Sequence, residues 1–493
     1  MTVQTIHAME IKKEFKNMKV LVAGLARSGT GAANLLSMLG ANVTITDKKS
    51  GSSLKADIDR LDPSIKVITG ENLEHLFTEA DLIVVSPGIP LSIRPIVKAR
   101  EHGVPVIGEL ELAYRVIKEG LLPMTYDPSP VFIGITGTNG KSTVTTLVNL
   151  MLSRSGFRTL LGGNIGNALT EELFKLISKG EGLSIEYIVA EISSFQLESI
   201  GEFRPKAAAI LNITPDHLDR YKSIEEYIDA KLRVLENQQA DDFLILNADD
   251  SVLMEAANKK LEIKSVNPKT IFFSRKREVE GIYFKDGMIY ANSSCFPFPT
   301  SHLPLLSQDE LRIKGIHNLE NAMAASAIAL ASGCSYEAVA DVLMDFSGLE
   351  HRMELVEELN GIRFINDSKG TNVGAVVKSL ESFDRVVLIM GGLDKGGDFK
   401  ALRGLIAAKV RVLILLGEAK EKIASALGDI TATLFVHDLK EAVSVSLSKA
   451  KEGDVVLLSP GCASFDMFAD FEDRGRKFKE AVREAVKDKR SRQ

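Results

Sequence analysis

The chain has 493 residues, a length that domain-size statistics divide into roughly two to four domains. Its hydrophobic content of 45% and charged content of 26% are those of an ordinary globular protein, and its net charge of −6 argues against nucleic acid as a bulk partner. Three widely spaced cysteines argue against a disulfide framework or zinc site, and the lack of a signal-like or membrane-spanning apolar run predicts a cytoplasmic protein without membrane insertion.

The first predicted domain covers residues 1–120 and begins with a βαβ unit. The apolar strand 19–23 leads into the turn 24–29, a helical pattern follows, and a second strand covers 43–46. Ala26 stands where the dinucleotide-binding fingerprint has its second glycine. Because its methyl group would crowd a pyrophosphate, the turn does not predict binding of NAD.

Polar residues follow two strands of this domain. Asp47 ends the second strand, where it suits a ribose hydroxyl or a base edge, and Lys48 and Lys49 are candidate phosphate contacts. A later strand, 81–85, ends in the turn 86–90, which is expected to expose backbone N–H groups. A purely structural α/β domain would give a similar pattern, so this segment alone leaves its ligand open.

The second predicted domain, residues 121–347, is built around a phosphate-binding loop. A linker with three prolines, 123–130, precedes the apolar strand 131–133 and the stretch G-I-T-G-T-N-G-K-S-T at 134–143. A helical pattern follows and stops at Gly156. In such an arrangement the N–H groups of the loop and of the helix start point at one spot, which favours binding of an anion.

Lysine and hydroxyl side chains complete the predicted nucleotide site. Lys141 would reach the outer phosphates, and Ser142 or Thr143 would offer an oxygen to Mg²⁺. Five residues separate Gly134 from Gly140, so the strict G-x4-G-K-[ST] pattern is not met. The alternative is a glycine-rich turn that only caps a helix, but the G-K-S-T sequence at a strand-to-helix junction favours nucleotide binding.

Four further residues of this domain have both a functional and a structural interpretation. Glu191 ends the apolar strand 187–190 and suits a magnesium ion, unless it is a solvated strand-end carboxylate. His217 lies in a polar loop, where the alternative is a turn or helix-cap histidine. Spacing alone would make Lys231 a solvated helix lysine. Asn318 opens a small-residue helix, so it has an N-cap as its alternative role.

The third predicted domain covers residues 348–493 and is again a mainly parallel α/β domain. Its apolar strands alternate with helices and are expected at 362–365, 386–390, 412–416 and 455–458. Polar loops follow three of them, at 366–372, 391–396 and 459–464. Because ligands in open α/β sheets bind at the carboxyl ends of strands, these three loops are expected to line one site.

Several of these stretches, taken together and in order, resemble the Mur ligases, the ATP-dependent amino-acid ligases of peptidoglycan synthesis. They are T-G-T-N-G-K-S-T, G-G-N-I-G, A-E-I-S-S-F-Q-L-E, D-H-L-D-R-Y, Y-x-x-A-K, H-N-x-x-N-A-x-A-A and H-R. N-D-S-K-G-T-N, G-G-L-D-K-G-x-D-F and S-P-G-C-A-S-F-D-M-F are similar to the branch that adds D-glutamate. The resemblance implies three α/β domains: a Rossmann-like UDP-binding domain, a central P-loop ATPase-type domain and a C-terminal Rossmann-like domain.

The resemblance also implies a reaction and its reactants. ATP, UDP-N-acetylmuramoyl-L-alanine and D-glutamate would give ADP, phosphate and the sugar nucleotide extended by D-glutamate, in the synthesis of the bacterial cell wall. The alanine carboxylate would attack the γ-phosphate to form an acyl phosphate, and the D-glutamate amine would then displace phosphate. Catalysis would depend on cations that stabilise the transferring phosphoryl group and on positioning of the reactants. The resemblance further implies a pair of Mg²⁺ ions and a monomeric enzyme.

Functional residues of the family correspond to positions in this sequence. For ATP, the resemblance implies Gly137, Thr138, Asn139, Gly140, Lys141, Ser142, Thr143, Asn318, Asn321, Arg352, Asp367 and Lys369. For Mg²⁺, it implies Ser142, Glu191, His217 and Lys231. Lys231 would carry CO₂ as a carbamate, because an amine cannot bind a cation whereas a carbamate oxygen can.

Substrate and catalytic residues are assigned in the same way. For the sugar nucleotide, the resemblance implies Arg27, Ser28, Asp47, Lys48, Lys49, Ser86, Gly88, Asn164 and His217. For D-glutamate, it implies Thr371, Lys395, Ser464 and Phe471. At the reaction itself, it implies Lys141, Asn164, His217, Lys231 and Arg352.

Two positions depart from the family pattern, and rival functions stay open. Arg27-Ser28 stands in the first-domain turn, which leaves the uridine contacts undefined, and Leu393 stands where some relatives have Asp. The rivals within the class are another Mur ligase or a folylpolyglutamate synthase, which differ in the amino acid that triggers phosphate release. A nucleotide-dependent binding or scaffold protein would bind or hydrolyse ATP regardless of the sugar nucleotide.

Overall fold

The computed structural model describes residues 15–71, 73–120, 130–179, 184–214, 216, 220–298, 300–394 and 396–491. The chain divides into two compact units, Met1–Phe346 and Ser347–Gln493. The described residues form two sheets in the first unit and one in the second. Most of the predicted linker, together with His217 and Lys395, lies outside the described residues. The domain boundaries near residues 120 and 347 stay a prediction.

Five parallel strands form the first sheet. In chain order, the elements are β1 (Lys19–Ala23), α1 (Arg27–Met38), β2 (Asn42–Asp47), α2 (Lys55–Ile58), β3 (Lys66–Thr69), α3 (Glu74–Thr78), β4 (Leu82–Val85), α4 (Arg94–Glu101), β5 (Val106–Gly108) and α5 (Glu109–Lys118). The strand order β3-β2-β1-β4-β5 reverses direction between β1 and β4. In parallel sheets, such a reversal opens a crevice for ligands at the carboxyl ends of the strands.

The strands predicted at 19–23, 43–46 and 81–85 are confirmed, but β3 and β5 are additional. Both additional strands are short and lie at the edges of the sheet. β3 has no fully buried residue, and β5 is only three residues long. Neither therefore has the continuous apolar run by which a buried parallel strand is recognised in a sequence.

Nine strands form the second sheet. In chain order, the elements are β6 (Val131–Thr136), α6 (Lys141–Arg154), β7 (Thr159–Gly163), α7 (Leu169–Ser178), β8 (Tyr187–Glu191), α8 (Ser194–Leu197), β9 (Ala207–Ile210), α9 (Ile224–Leu232), β10 (Phe243–Asn247), α10 (Ser251–Glu262), β11 (Lys269–Ser274), β12 (Gly281–Lys285), β13 (Met288–Ser293), β14 (Thr300–Ser307), α11 (Ile316–Ala331) and α12 (Tyr336–Asp345). The strand order is β14-β13-β12-β11-β10-β9-β6-β8-β7. Strand β6 therefore lies between β8 and β9, with which it pairs in parallel.

An antiparallel extension ends this sheet on one side. Strands β12, β13 and β14 pair antiparallel to one another, and the turn between β12 and β13 is Asp286-Gly287. These two residues have φ of 49° and 79°, as a type I′ hairpin turn requires. Asp followed by Gly between two apolar runs is the sequence signal for such a turn.

Six strands form the sheet of the second unit. The elements are β15 (Glu354–Leu359), β16 (Ile362–Asn366), α13 (Val373–Glu381), β17 (Val386–Gly391), α14 (Arg403–Lys409), β18 (Val410–Leu416), α15 (Lys420–Leu427), β19 (Ala432–Phe435), α16 (Leu439–Lys449), β20 (Val455–Leu458) and α17 (Phe471–Arg490). The order is β15-β16-β20-β17-β18-β19, with only β15 antiparallel. The four predicted strands are confirmed. Strands β15 and β19 are additional edge strands, and the sequence of β15 is broken by glutamates.

Central strand β17 shows why the buried strands are apolar throughout. Val387 and Ile389 belong to one hydrophobic core, whereas Val386, Leu388 and Met390 belong to a second core. Because successive side chains of a strand point to opposite faces, the two cores lie on the two sides of the sheet. Covering both faces with helices therefore demands an unbroken apolar run in the strand.

The longest helix in the described part of the chain is α17, with 20 residues. Its sequence is rich in charge, and only one side of it is buried. Across the residues that the structure describes, no helix combines the length and apolar character needed to cross a membrane.

Helix α5 connects the first sheet to the second through the buried carboxylates of Glu109 and Glu111. Glu111 accepts hydrogen bonds of 2.8 to 2.9 Å from the backbone N–H groups of 201–203 and from Arg115 Nε. Glu109 accepts hydrogen bonds from the N–H and the hydroxyl of Thr170 at the start of α7, at 2.7 and 3.0 Å. Burial raises the pKa of the Glu109 carboxyl. These contacts hold the first two sheets together within one unit.

Replacing Glu111 by alanine is expected to destabilise this junction. Loss of the carboxylate leaves three backbone donors of 201–203 without their charged acceptor, which should lower the free energy of unfolding by about 2 to 4 kcal/mol. Urea denaturation followed by far-ultraviolet circular dichroism measures the change. Glu101→Ala removes an exposed ion pair with Lys98 and serves as the control, with no measurable effect expected. Equal stability of the two variants would contradict the role of Glu111.

Candidate functional site

The phosphate-binding loop lies between β6, the third strand from one edge of the second sheet, and α6. Strand β6 extends to Thr136, so Gly134 lies inside the strand and does not open the loop. A Cβ at Gly134 would come within 3.0 Å of Ile192 Cδ1, so close packing explains this glycine. The loop itself covers 137–140. The strict motif counts its spacing from a glycine at the start of the loop. Gly134 is a strand residue, so the five residues between Gly134 and Gly140 are not the length of the loop.

Two glycines determine the shape of the loop. Gly137 and Gly140 have φ of 142° and 86°, a region that residues with a side chain rarely adopt. A Cβ at Gly140 would lie 2.3 Å from Asn321 Oδ1, and a Cβ at Gly137 would meet Leu211. Glycine is therefore required at both positions, and Asn321 of α11 lies directly against the loop.

Residues from elsewhere in the second sheet hold the loop in place. Asn139 N–H donates to Asn212 Oδ1 at 2.8 Å, and Asn212 Nδ2 donates to Asn139 O at 3.1 Å. Thr138 N–H donates to Asn212 O at 3.0 Å, and its hydroxyl shares a 3.0 Å hydrogen bond with Tyr227 OH. The residues predicted to bind ATP are thus fixed by a network that involves the segments after β9 and in α9.

The predicted cation and hydroxyls stand at the start of α6. Lys141 Nζ donates to Gly137 O and to Thr138 O, both at 2.9 Å, so the amine lies over the loop. Ser142 and Thr143 follow in the first turn and are 3% and 7% exposed. A folded-back lysine and buried hydroxyls at a helix start provide the groups with which proteins bind phosphate and a divalent cation.

A small cavity lies beside the loop. Its lining includes Asn139, Gly140, Phe273, His317 and Asn321. An aromatic wall combined with amide groups suits a planar base with hydrogen-bonding edges. The cavity therefore supports the prediction for Asn321 as a residue near the adenine.

The alternative interpretation of Asn318 as a helix N-cap is wrong. Helix α11 has Gly315 as its N-cap, and Asn318 lies within the first turn of the helix. Its Nδ2 donates to Lys314 O at 2.9 Å. The predicted contact between Asn318 and ATP stays a prediction.

Glu191 is the last residue of β8 and lies beside the strand that leads into the phosphate-binding loop. It is 3% exposed, so the alternative of a solvated strand-end carboxylate is wrong. Asn164 Nδ2 donates to Glu191 Oε1 at 2.6 Å, whereas Oε2 is buried without a hydrogen-bond partner among the described residues. A buried carboxylate oxygen is costly unless a donor or a cation meets it. The environment of Glu191 therefore fits a bound cation.

Lys231 is buried in the same region, so the alternative of a solvated helix lysine is also wrong. It is 2% exposed, and its Nζ donates to Gly137 O at 2.9 Å. The amine also lies 4.6 Å above the ring of Tyr227. Burial, together with the neighbouring charge of Lys141, lowers the pKa of Lys231 to about 7, against the opposing effect of nearby carboxylates. A substantial fraction of this lysine is therefore neutral at physiological pH.

The predicted metal ligands are only partly represented in the structure. Within the described ranges, which omit His217, no three His, Cys, Asp or Glu side chains form a metal-binding group. Glu191 and Ser142 offer oxygen atoms as they stand. Lys231 would offer one only after it gains CO₂, so the complete ligand set stays a prediction.

The turns after β1 and β4 meet where the strand order reverses. Ser86 Oγ donates to Gly24 O at 3.0 Å, and a Cβ at Gly24 would lie 2.8 Å from Ser86 Oγ. Asp47 accepts hydrogen bonds from the N–H groups of Leu25 and Lys49, each at 2.9 Å. Asp47 therefore holds the turn after β1 and the turn after its own strand, β2. Its contact with the UDP end stays a prediction.

The other residues predicted for the UDP end lie around these turns. Arg27 is the first residue of α1, and its guanidinium donates to Gly166 O in the glycine-rich turn after β7. Ser28 follows it and is half-buried, whereas Lys48 and Gly88 are exposed. Arg27 thus joins the first sheet to the turn that also holds Asn164, and Lys48 and Gly88 are accessible to a ligand.

In the second unit, the three polar loops lie together at one edge of the sheet. They follow β16, β17 and β20, which are neighbours. Gly391 N–H donates to Pro460 O at 2.9 Å, and Gly461 N–H donates to Gly370 O at 2.8 Å. The loops therefore contact one another as expected, while their ligand stays a prediction.

Two predicted ligand residues of these loops have different surroundings. Asp367 is buried and accepts hydrogen bonds from Ser379 Oγ at 2.5 Å and Ser459 Oγ at 2.8 Å. Burial raises the pKa of Asp367, although these hydrogen bonds oppose the shift. Lys369 Nζ lies 5.3 Å over the ring of Phe471. Asp367 thus connects the loop 366–372 to the loop 459–464. Lys369 and Phe471, which are predicted to bind different ligands, lie next to each other.

The remaining predicted residues of this unit also lie on the loops or beside them. Ser464 is 2% exposed, and its carbonyl accepts the N–H of Phe468 at 2.9 Å. Thr371 N–H donates to Lys369 O at 2.8 Å. Arg352 is half-buried. Their roles towards D-glutamate or ATP stay predictions, as does that of Lys395, which lies outside the described residues.

Arg474 is a residue of this region that the sequence did not single out. It is 2% exposed, and its guanidinium donates to Ser368 Oγ and Ser368 O at 2.9 and 2.8 Å, and to Cys462 O at 3.1 Å. Burial lowers its pKa to about 10. It thereby ties two of the three polar loops to α17. An arginine in a highly charged helix is usually solvated, so the sequence carried no signal for this role.

Domains of known proteins match most of the chain. Residues 18–108 match the domain described as Mur ligase MurD-like, N-terminal domain. Residues 135–329 match the Mur ligase middle domain, and residues 351–462 match the Mur ligase glutamate ligase domain.

Curated relatives are similar over almost the whole chain. The UDP-N-acetylmuramoylalanine--D-glutamate ligase of Geotalea uraniireducens (strain Rf4) is 44% identical over 473 residues, which cover 95% of this chain and 98% of that protein. The protein of the same name from Clostridioides difficile (strain 630) is 41% identical over 475 residues, with coverage of 95% and 99%. The similarity thus extends through all three matched domains.

Solved structures share the fold at lower identity. The UDP-N-acetylmuramate-alanine ligase of Thermotoga maritima gives a TM-score of 0.54 at 19% identity and covers 95% of this chain and 100% of that chain. The MurF ligase of Thermotoga maritima in complex with ADP gives 0.54 at 14% identity, with 97% of each chain covered. At such identity the likeness concerns the fold alone.

Proposed function

This chain belongs to the Mur ligase family, and from that premise we propose that it joins D-glutamate to UDP-N-acetylmuramoyl-L-alanine with consumption of ATP. Relatives named for this ligation are 41% and 44% identical over nearly the whole length of both chains. The reaction releases ADP and phosphate and adds one residue to the peptide of a peptidoglycan precursor. We place this activity in the cytoplasm and in a monomer.

One observation supports the chemistry most strongly, namely that buried Lys231 contacts the phosphate-binding loop while buried Glu191 ends the strand beside β6. A lysine with a pKa of about 7 is partly neutral, and the neutral amine is the form that adds CO₂. The addition forms an N–C bond, converts one C=O of CO₂ into a carboxylate oxygen, releases one proton and turns the neutral amine into an anionic oxygen donor. Glu191, Ser142, His217 and carbamylated Lys231 would hold Mg²⁺, which would neutralise charge on the phosphates.

The residues of the chain would bind and orient the reactants. Lys141 would bind the outer phosphates of ATP, and Asn164, which is held by Glu191, would orient the alanine carboxylate. An oxygen of that carboxylate attacks the γ-phosphorus, and ADP leaves. The D-glutamate amine then attacks the acyl carbon and loses a proton, and phosphate leaves. Phosphorylation is needed because a free carboxylate is a poor acyl donor.

We assign the remaining contacts according to the resemblance. D-glutamate would be bound by Thr371, Lys395, Ser464 and Phe471. ATP would also be bound by Arg352, Asp367, Lys369, Asn318 and Asn321, and the UDP end by Arg27, Ser28, Asp47, Lys48, Lys49, Ser86 and Gly88. Support comes from the mutual contacts of the polar loops in the second unit and from the meeting of the two turns in the first sheet.

Phosphate release tests the proposal. The protein would be supplied with ATP, Mg²⁺ and UDP-N-acetylmuramoyl-L-alanine, together with one member of a panel of L- and D-amino acids. We expect release with D-glutamate only. Release with another amino acid and its matching acceptor would keep the ligase chemistry but overturn the assignment of D-glutamate. ATP binding without release across the panel would indicate a binding protein and overturn the enzymatic function.

The pKa of Lys231 predicts how carbamate formation depends on pH. Below a pKa of about 7 the folded protein holds the lysine protonated and unreactive, and above it the reactive amine predominates. We therefore expect labelling of Lys231 by ¹³C-bicarbonate, followed by ¹³C NMR, to increase between about pH 6 and about pH 8. Lys231→Arg, which keeps the positive charge, provides the baseline. A carbamate signal that is equally strong in this variant would contradict the assignment.

A further inference from the structure

Arg220 joins the turn after β4 to the second sheet. Its guanidinium donates to Pro87 O at 3.1 Å and lies 3.5 Å from Ile89 O, both in the turn 86–90. The same group forms a two-point ion pair with Glu198, with Nη2–Oε2 at 2.7 Å and Nε–Oε1 at 3.2 Å. The side chain of Arg220 is only 16% exposed. A single guanidinium therefore contacts a turn of the first sheet and a carboxylate beside the second.

Aromatic residues surround the ion pair and extend towards the phosphate-binding loop. The guanidinium carbon of Arg220 lies 4.2 Å from the centroid of the Phe195 ring. Tyr221 OH donates to Glu198 Oε1 at 2.6 Å, and the ring of Tyr221 lies 5.4 Å from that of Tyr227. Since Tyr227 OH bonds to the hydroxyl of Thr138, a continuous set of contacts leads from the turn 86–90 to the loop 137–140.

The geometry of the Pro87–Gly88 peptide indicates what Arg220 does to the turn. In a trans peptide unit the C=O and the N–H point in opposite directions. Because Pro87 O is directed at Arg220, the N–H of Gly88 is directed away from it. Gly88 is exposed, and a Cβ built on it would meet no atom within 4 Å. A cation on the carbonyl side also polarises the peptide and strengthens the N–H as a donor to an anion.

Lysine could not replace arginine in this arrangement. The planar guanidinium offers several donors at fixed angles, so it can bond to a carboxylate at two points and still reach two carbonyl oxygens. An ammonium group is a point charge that lacks this geometry and stacks less well on an aromatic ring. The structure therefore uses properties that are specific to arginine.

We propose that Arg220 is a positioning residue for the sugar nucleotide, which orients the turn 86–90 so that the N–H of Gly88 faces the diphosphate of UDP. This inference rests on the proposed function for the identity of the ligand. Arg220 itself contacts the carbonyl side of the turn, at Pro87 O, and acts on the ligand through the Pro87–Gly88 peptide. Through Glu198 and the tyrosines, the oriented turn is also joined to the residues that hold the phosphate-binding loop.

Binding of UDP measured by isothermal titration calorimetry tests the inference without depending on catalysis. We expect Arg220→Gln to weaken UDP binding about tenfold, which is the size expected when one hydrogen bond to a charged group, from the Gly88 N–H to the diphosphate, is lost. Arg220→Lys should recover only part of this loss, because charge alone does not restore the geometry. The affinity for ATP should stay within about twofold in both variants.

A matched control distinguishes positioning from general weakening of the junction. Arg60 also joins the first sheet to the second, through a 2.9 Å contact with Glu171 of α7, but it does not contact the turn 86–90. Arg60→Gln should therefore leave UDP affinity unchanged. If Arg220→Gln binds UDP as tightly as the wild type, the inference is overturned. Equal weakening of UDP and ATP binding, or a UDP affinity fully restored in Arg220→Lys, would also overturn it.

Kinetics separate this inference from the proposed function. With all three substrates, Arg220→Gln should raise the KM for UDP-N-acetylmuramoyl-L-alanine about tenfold while the KM for D-glutamate changes little. If the wild-type protein bound UDP but released no phosphate with D-glutamate, the proposed function would fail while the UDP titrations would still decide the role of Arg220. The two conclusions therefore fail on different measurements.

Discussion

Replacing Lys141 by alanine is expected to lower kcat by about a thousandfold or more, since removal of one fixed charge-stabilising group from an active site typically has an effect of this size. The transferring phosphoryl group carries negative charge that a nearby ammonium would stabilise. In the structure, Lys141 lies over the loop through hydrogen bonds to Gly137 O and Thr138 O. Phosphate release under saturating substrates measures the effect.

Two comparisons make the result for Lys141 specific. Lys259→Ala removes an exposed helix lysine that pairs with Glu255, and it should keep the wild-type rate. Lys141 also helps to lower the pKa of Lys231, so Lys141→Ala should shift ¹³C-bicarbonate labelling of Lys231 to higher pH. A Lys141→Ala rate within tenfold of wild type would remove this lysine from the reaction centre.

Replacing Lys231 by alanine is expected to abolish turnover, and short carboxylic acids such as acetate or propionate are expected to restore part of it. Truncation of a buried side chain leaves space beside Gly137 and Tyr227, which the Lys231 amine contacts. A small carboxylate could occupy that space and supply the anionic oxygen that the carbamate would provide. The rate of phosphate release is measured as a function of acid concentration.

Recovery of turnover by an added acid would show that Lys231 supplies an oxygen donor and does not act only through packing. Lys231→Arg fills the space with a permanent cation, so it should be inactive and should not respond to acids. Lys222→Ala, an exposed lysine just before α9, should be fully active. Near-normal activity of Lys231→Ala without any acid would show that the carbamate assignment is wrong. A lack of recovery with every acid, in a folded variant, would also count against it.

The sequence predicted the sheets and the position of the phosphate-binding loop because both depend on local patterns. Buried parallel strands are continuous apolar runs, and the loop requires glycine where φ is positive, as at Gly137 and Gly140. Glu191 at a strand end beside β6 followed from the same rules. The additional edge strands escaped prediction because each is short or interrupted by polar residues and therefore lacks such a run.

Only the tertiary structure decided which polar side chains are buried and what they contact. Lys231 bonds to Gly137 O across 94 residues of sequence, and Arg474 bonds to Ser368 across 106. Arg220 contacts Pro87 across 133 residues. In the sequence these three residues look like ordinary surface cations, and Gly134 looks like the start of a loop. Burial and neighbours depend on segments that meet only after folding, and these determine both the pKa of a lysine and the orientation of a turn.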